Sequence, residues 1–432
     1  MTYKNKLVYF FQNLLVSLIA PAISLYYGLK NGNKSQQKIV LFIFFLFYGA
    51  TLHMDVENDG HRHLEAVRNF YPEMSFRLFI NSSLKILVFQ ESGVGSDDIY
   101  KHVVSYLSGN IIGYPPIFFV IVAGVYGFFF INSIYEIFDR PLFNRYLPLM
   151  AVGFLFIMHK NVEGVNTVRT WTAMWILLFG VIKFLKYKNN KYLIFIALTP
   201  LVHFSYIVFI VPVLAGLFIK RKPNLALAAF LLSMVFSGFN PNKGLSNRFG
   251  GQEIIKERIE NYSIDKQSTA NERWANINKK KEQRLYKSMQ SFGLQSYAFV
   301  FIIFIMYFFV IRIYNPSNLF VYFFTLGTTI HAFSNFTWFI TEVAGRSRVI
   351  GEMFILISLF LILRDTAVYF RKKEFKWGLN IYLILMIPFA IWNTSRWFDH
   401  PSLFSFIMPG LVIINPEMNF SLKQALRFLI PF

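Results

Sequence analysis

Long apolar blocks alternate with short polar or charged segments from one end of the chain to the other. Each block is roughly 15 to 25 residues long, which is what a helix needs to cross a hydrocarbon core about 30 Å thick. The first block is too long for a signal peptide and lacks a small-residue cleavage site, so we interpret it as a span. The pattern predicts spans at 7–28, 38–54, 111–134, 146–160, 167–183, 224–238, 292–312, 317–339, 348–364 and 378–392.

One further apolar segment, 191–219, has basic residues on both sides. Cytoplasmic loops carry an excess of Lys and Arg, so both ends of this segment are predicted to be cytoplasmic. The segment must then be a helical hairpin or a re-entrant pair. Pro200 and His203 near its middle predict a break, which is tolerated at membrane depth where protein or a watery cavity satisfies the freed backbone groups. The flanking basic residues are Lys183, Lys186, Lys188, Lys191, Lys220, Arg221 and Lys222.

The same charge bias predicts four segments on the outer side of the membrane. The first of two long outer loops, 55–110, ends in a predicted interfacial helix over 97–109. The second, 239–291, is predicted to be a basic helical cap, which is either a solvated face or an attraction for a phosphate-bearing substrate. The two short outer segments are 160–168 and 340–347.

The predicted fold class is therefore all-α, a polytopic transmembrane helix bundle. We expect about 10–12 spans in a single domain over residues 1–432, with one broken or re-entrant hairpin and two outer loops.

Composition agrees with this class, because 55% of the residues are hydrophobic and only 15% are charged. The net charge of +20 does not indicate nucleic acid, since the basic residues lie between apolar blocks. Anionic lipid or phosphate explains them better. The absence of cysteine excludes disulfides, thiolate metal sites and a cysteine nucleophile.

The densest polar cluster follows the second predicted span and reads DVENDGHRHLEAVRNFY. If this stretch is helical, Asp59, Arg62 and His63 share one face. Such a pairing suits glycosyl transfer, which needs a base for an incoming hydroxyl and cations for a departing phosphate. Two alternatives remain open. The cluster is a hydrated helix with ordinary ion pairs, or a metal site that includes Asp55, Glu57 and Asp59 without a fixed ligand spacing.

Three arginines lie near predicted membrane boundaries, and a histidine lies within a predicted membrane segment. Arg169 is predicted one or two turns inside the fifth span, where it either serves function or snorkels to the headgroups. His203, at the predicted hairpin tip, is either a packing residue or a catalyst. Arg346 and Arg348, with Glu342, lie in a predicted short outer turn where both arginines could fork onto phosphate oxygens; the alternative is headgroup anchoring.

At these residues the sequence resembles the Wzy/EpsG-type family of bacterial O-antigen and exopolysaccharide polymerases. His63 stands where the family pattern often has tyrosine. The resemblance covers the first half of the chain and lies in DGHRHLEAVRNF (59–70, with Asp59, Arg62 and Phe70 in register), the DIYKHVVSYLSGN segment with its apolar span (98–131), VNTVRTWTAMW with LVHFSY (165–206) and, more weakly, KERIENYSIDK (256–266).

With this resemblance, the leading hypothesis is a GT-C-like glycosyltransferase without a cofactor. It is expected to be metal-independent because arginines would neutralise the leaving pyrophosphate. It would polymerise undecaprenyl-pyrophosphate-linked oligosaccharide units at the outer face of the bacterial inner membrane. Membrane lipid and a chain-length regulator protein are the further expected partners, and nucleic acid is not one. Two rivals remain: a metal-dependent lipid-phosphosugar glycosyltransferase or O-antigen ligase, and a flippase for the same lipid-linked unit, which needs no acid or base.

Each candidate residue has an expected role in this scheme. Arg169, Arg346 and Arg348 would stabilise the leaving pyrophosphate. Asp59 or His203 would act on the acceptor hydroxyl, with Arg62 orienting Asp59. Further substrate contacts are expected from Arg258, Tyr262 and His63.

Overall fold

Most described residues are helical in this computed structural model. The described part contains no strand, and an isolated β-bridge joins Ser402 to Ser421. The predicted all-α class is confirmed. The structure describes residues 3–53, 59–88, 90, 93, 98–138, 147–236, 294–314, 316–338, 340–364, 373–397, 401–415 and 419–429.

The chain divides into two compact units, each assembled from separate stretches of sequence. Unit 1 comprises Met1–Arg145, Lys160–Ile207 and Asn393–Phe432. Unit 2 comprises Tyr146–His159 and Val208–Trp392.

Most helices of unit 1 come from the first half of the chain, and two short ones lie near the C terminus. Its α-helices are α1 (Tyr3–Ile19), α2 (Pro21–Asn31), α3 (Lys34–Ala50), α4 (Asp59–Phe70), α5 (Phe76–Leu87), α6 (Ile99–Tyr106), α7 (Ile117–Ile137), α9 (Thr170–Tyr187), α10 (Leu193–Val202), α18 (Pro409–Ile414) and α19 (Leu422–Leu429). A π-helix, Leu107–Ile111, extends α6, and a 3-10 helix, Val162–Thr167, precedes α9.

Unit 2 contains the remaining helices. They are α8 (Leu147–His159), α11 (Tyr206–Phe218), α12 (Pro223–Phe236), α13 (Leu294–Met306), α14 (Asn318–Phe336), α15 (Thr341–Arg364), α16 (Lys373–Leu385) and α17 (Ile387–Trp397). The first residues of α11 and the last residues of α17 belong to unit 1. A π-helix, Tyr307–Ile311, extends α13.

Three stretches of the described chain are long and apolar enough to cross a membrane. They are Ile117–Ile137, Leu294–Ile311 and Lys373–Ser395. Four shorter apolar helices, Leu7–Ile19, Asn190–Val202, Tyr206–Phe218 and Pro223–Val235, fall below that length. The apolar helices fit a membrane protein, whereas about 10–12 full spans stay a prediction.

The first predicted span, 7–28, is two helices rather than one. Pro21 lacks a backbone N–H and starts α2 at its first position, where that donor is not needed. The break is held by the C-terminal region: Met408 N–H donates to the Ile19 carbonyl at 3.0 Å, and Ala22 N–H donates to the Phe406 carbonyl at 3.2 Å. These bonds satisfy backbone groups that a continuous helix would have paired internally.

Close helix packing in each unit depends on glycine. In unit 1, a Cβ on Gly49 of α3 would lie 2.3 Å from the Phe119 carbonyl oxygen of α7. In unit 2, a Cβ on Gly351 of α15 would lie 3.1 Å from the Gly327 carbonyl oxygen of α14. Small residues allow such backbone approach where no hydrophobic effect drives helices together in lipid.

The predicted break in 191–219 is confirmed. Helix α10 ends at Val202 and α11 begins at Tyr206, so His203 lies in the interruption as expected. A return of the second half to the cytoplasmic side stays a prediction.

Candidate active site

A buried carboxylate, Asp98, joins three distant parts of unit 1. It lies just before α6 and is 2% exposed. It forms an ion pair with Arg169, which precedes α9, and lies 3.2 Å from His203 Nδ1 in the break after α10. The Phe204 backbone N–H donates to its other oxygen at 2.6 Å. Asp98 is therefore the shared acceptor of a guanidinium, an imidazole and a backbone amide.

Asp98 occupies the N-cap position of α6 but makes no side-chain cap bond there. Aspartate at this position ordinarily accepts a hydrogen bond from the first turn of its own helix. Here the carboxylate reaches Arg169, His203 and Phe204 instead. Asp98 therefore contacts residues that are distant in the sequence instead of capping its own helix. Because these contacts are not local, no short sequence motif identifies the role of Asp98.

Arg169 is held in position by a strained turn. Val168 has φ 58° and ψ −63°, and Arg169 N–H donates to the Thr167 carbonyl at 2.6 Å. These values define a γ-turn of the rare positive-φ form, which is unfavourable for a β-branched residue. Val168 is fully buried, so the surrounding packing maintains the strain.

This turn corrects the predicted location of Arg169. Arg169 is the N-cap residue of α9 and does not lie one or two turns inside an apolar helix. The reason is that the preceding residues form the 3-10 helix Val162–Thr167, which delays the start of α9. The side chain is 26% exposed and, among the described residues, donates to Asp98. A cation at a helix N terminus opposes the helix dipole, so this end of α9 favours an additional anion.

The protonation pattern of the His203–Asp98 contact follows from the carboxylate. Burial by itself raises the pKa of Asp98, but the hydrogen bond with His203, the charge of Arg169 and the Phe204 amide hold that pKa well below its usual range. An ionised carboxylate only accepts hydrogen bonds, so His203 Nδ1 carries the proton towards Asp98. The basic nitrogen of the neutral ring is then Nε2.

Helix α4 brings His63 into the electrostatic field of this site. Gly60 N–H donates to Asn166 Oδ1 at 3.1 Å, which ties the start of α4 to the segment before α9. Burial, followed by the positive charges of Lys101 and Arg169, lowers the pKa of His63 to about 3. His63 is therefore a neutral hydrogen-bonding group at physiological pH, and Lys101, which is 6% exposed, is a buried cation of the same neighbourhood.

The predicted pairing of Asp59 with Arg62 is confirmed, within the predicted helix. Both side chains are more than half exposed, however, at 54% and 70%. Their ion pair is exposed at the surface of the chain, where such contacts contribute little.

The predicted outer turn containing Arg346 and Arg348 is wrong, because both residues lie inside α15. Residues two apart on a helix point in different directions, so these arginines cannot fork onto one phosphate. Arg346 pairs with Glu342 at 3.0 Å, one turn earlier, and Arg348 donates to Ser296 Oγ at 2.9 Å. A substrate contact stays a separate prediction for each arginine.

Some predicted residues lie outside the described part of the chain. They are Asp55, Glu57, Arg258, Tyr262 and the rest of the basic cap and its weak family echo, 256–266. Within the part that is described, no three His, Asp or Glu side chains form a group that could hold a metal ion.

Unit 2 has a polar centre of its own that the sequence did not reveal. Glu352 of α15 accepts from Gln295 at 2.7 Å and lies 2.9 Å from His159 Nε2. The His159 and Glu352 side chains are 1% and 0% exposed. Glu352 Oε1, His331 Nε2 and the Tyr382 hydroxyl are buried without a hydrogen-bond partner in the described structure.

Asp98 and Lys101 are the residues of the candidate site that sequence reasoning missed. The available signal was the position of Asp98: an acidic residue directly before the amphipathic segment that resembles the polymerase family. A carboxylate at such a boundary, with an arginine and a histidine at two other boundaries, is the pattern that tertiary structure brings together.

The apolar helices and the Asp98–Arg169–His203 centre define a helical membrane protein with a buried, charged site at helix ends. The family model described as EpsG family matches residues 6–408, and the chain belongs to this family. No curated protein and no solved structure matches the chain.

Proposed function

We propose that the chain polymerises lipid-linked oligosaccharide repeat units by glycosyl transfer. It would move the growing glycan from its undecaprenyl pyrophosphate carrier to a hydroxyl of the next lipid-linked unit. Membership of the EpsG family supports a role in polysaccharide polymerisation. The observation that carries the proposed site is the contact of Asp98 with both Arg169 and His203.

In the proposed reaction the acceptor hydroxyl oxygen attacks the anomeric carbon of the donor sugar. The bond from that carbon to the pyrophosphate oxygen breaks, and the electron pair leaves with the pyrophosphate. His203 takes the hydroxyl proton at Nε2, while Asp98 orients the ring and stabilises the imidazolium that forms. Of the two predicted bases, His203 is preferred over Asp59, because Asp59 is exposed and already paired with Arg62.

Arg169 is the proposed stabiliser of the leaving group. Asp98 engages one of its terminal nitrogens, and the side chain remains partly exposed. A guanidinium has five N–H donors in a planar fork, which suits two phosphate oxygens at once. The helix start behind Arg169 and the nearby Lys101 add positive potential where negative charge develops.

His63 has a different proposed task. Because its pKa is lowered to about 3, it cannot supply charge to the pyrophosphate at neutral pH. A neutral imidazole both donates and accepts, so His63 would bind a sugar hydroxyl. Arg346, Arg348, Arg258 and Tyr262 stay as further candidate contacts to the substrate.

The proposal includes the bacterial inner membrane, with the site on its outer side. The support is the distribution of Lys and Arg between the predicted loops. A chain-length regulator protein is the proposed protein partner, on the basis of the resemblance alone.

The test is elongation by the purified chain in lipid vesicles. Supplied with a lipid-linked repeat unit in the presence of EDTA, it should produce glycans longer than one unit. Movement of the unit across the bilayer without elongation would replace the proposal with a flippase. Loss of elongation in EDTA, with rescue by magnesium, would favour the metal-dependent rival and ligands among Asp55, Glu57 and Asp59.

A further inference from the structure

Helix α5, which lies between α3 and the candidate membrane span α7 along the chain, exposes an apolar stripe. Four side chains at i, i+4, i+8 and i+11 lie along one side of the helix. They are Phe76, Ile80, Leu84 and Leu87, and all are exposed. Arg77, Asn81 and Lys85 are also exposed and follow the stripe around the helix.

A neighbouring side of α5 packs on α6. The Phe79 ring stacks on Tyr106 at 4.2 Å and on His102 at 4.9 Å between ring centroids. The buried Ser82 hydroxyl donates to the Leu78 carbonyl at 2.8 Å, so the inward polar group is satisfied. The exposed stripe is therefore not a misplaced core face, since the helix already has a packed side.

The start of α5 is fixed next to the start of a membrane span. Asn110 Nδ2 donates to the Pro72 carbonyl at 2.9 Å and to the Met74 carbonyl at 3.0 Å, just before α5. Two hydrogen-bonded turns then lead to the span: Tyr114 N–H donates to Ser108 and Ile117 N–H to Tyr114. The start of α5 is thus tied to the segment that leads into α7.

We propose that α5 lies in the membrane interface, with its stripe in the hydrocarbon of one leaflet. Amphipathic helices with an apolar face and flanking cations bind in this way, and Arg77 and Lys85 would meet anionic headgroups. The lipid bilayer is the occupant favoured by charge complementarity and by the fixed position beside α7. Through Phe79, this contact would set the depth of α6 and of Asp98 at its start. The inference is independent of the proposed glycosyl transfer.

The absence of cysteine from the natural chain allows a direct test. Ile80→Cys and Leu84→Cys place a label on the stripe, and Asn81→Cys and Lys85→Cys are matched controls on the polar side of the same helix. Each full-length variant is labelled with an environment-sensitive fluorophore in vesicles of phosphatidylethanolamine and phosphatidylglycerol. Quenching is measured with spin-labelled acyl chains and with aqueous iodide.

Labels at 80 and 84 should be quenched several-fold more by the acyl chains than labels at 81 and 85, with the reverse order for iodide. Equal quenching of the two sides, or access of iodide to 80 and 84, overturns the proposal and leaves the stripe to a protein partner. Ile80→Asp with Leu84→Asp should raise iodide access to a label at 87. This readout does not require elongation, so its outcome is separate from that of the proposed function.

Discussion

The two polar centres of the molecule use similar groups but differ in access. In unit 1, Asp98 is buried, while its partner Arg169 is 26% exposed and His203 is 11% exposed at the side chain. In unit 2, His159 and Glu352 are both sealed, at 1% and 0%. A buried carboxylate that holds a partly exposed arginine can present charge to a ligand, whereas a sealed pair can act only on the protein around it.

The two centres also differ in where their residues lie within the helices. The unit 1 centre is built from helix ends: the N-cap of α6, the N-cap of α9 and the break after α10. Glu352 of the unit 2 centre lies within α15, and its partner His159 is the last residue of α8. Helix ends have unpaired backbone groups and irregular geometry that can serve a ligand, while the helix interior around Glu352 has none to offer. His159 lies at a helix end, but its side chain is only 1% exposed. The comparison predicts catalysis in unit 1 and folding stability in unit 2.

The largest effect is expected from His203→Gln. Glutamine can still donate to Asp98 but cannot act as a base, so elongation should slow by about a hundred- to ten-thousandfold. The measurement is the initial elongation rate at equal amounts of reconstituted protein. The matched control is His61→Gln, because His61 is paired with Glu65 instead of Asp98. Its elongation rate should be close to that of the wild type. A His203→Gln rate near wild type would exclude His203 as the base.

Glu352→Ala should act on stability instead. Removing Glu352 leaves His159 Nε2 and the Gln295 side chain without their acceptor, and a buried polar group left unsatisfied costs about 1–3 kcal/mol. The thermal transition in detergent should fall strongly, while elongation per folded molecule is retained. Exposed Glu374 of the same unit provides the control, since Glu374→Ala should change little. Normal stability with lost elongation would move catalysis to unit 2 and invert the comparison.

Arg169 should affect rate more than folding. Loss of one donor to developing charge typically costs about 2.7–4 kcal/mol, or roughly a hundred- to a thousandfold in rate. Arg169→Ala should insert normally yet fail to make long chains, and Arg169→Lys should retain part of the activity, because lysine keeps the charge but loses the fork. The control is Arg68→Ala, which removes an exposed arginine. Full-length glycan from Arg169→Ala, or a Lys variant equal to wild type, would indicate a headgroup anchor instead.

His63 makes a smaller, pH-dependent contribution. Its pKa in the folded chain is about 3, below the value of about 6.5 in an unfolded chain. Between these values the unfolded state binds a proton that the folded state does not, so stability is lost as pH falls, by at most about 1.4 kcal/mol per pH unit. Unfolding followed between pH 7 and pH 5 should show this slope, reduced in His63→Gln. An unchanged slope would place His63 in a more solvated environment.

The smallest effect is expected at the exposed pair of Asp59 and Arg62. Surface ion pairs contribute about 0–1 kcal/mol, so Asp59→Asn should leave stability nearly unchanged. Elongation should also fall by less than about tenfold, since a factor of ten corresponds to about 1.4 kcal/mol. Elongation by the purified variant decides between the two predicted bases. If Asp59→Asn abolishes elongation while His203→Gln does not, the base is in α4.

Sequence patterns predicted several local features correctly because these features depend on neighbours along the chain. The helix from Asp59, its ion pair with Arg62 and the break at His203 follow from residues within one or two turns. The predicted turn at Arg346 failed because Glu342 and its neighbours continue as helix into an apolar span, and no residue there stops it. The predicted start of the helix containing Arg169 was wrong because the strained turn at Val168 precedes α9. That turn is maintained by burial, which cannot be read from a pattern of apolar and polar residues.

The sequence by itself determined the solvent and the class of this protein: apolar blocks demand a membrane, and helices are the way for such blocks to satisfy their backbone groups there. It also marked Arg169 and His203, since polar residues at the edges of apolar helices are costly without a purpose. Only the tertiary structure decided that Asp98 joins them, because Arg169 and His203 lie 71 and 105 positions from Asp98 along the chain. It alone separated the accessible centre from the sealed one, since burial is a property of packed helices and not of any segment of the sequence.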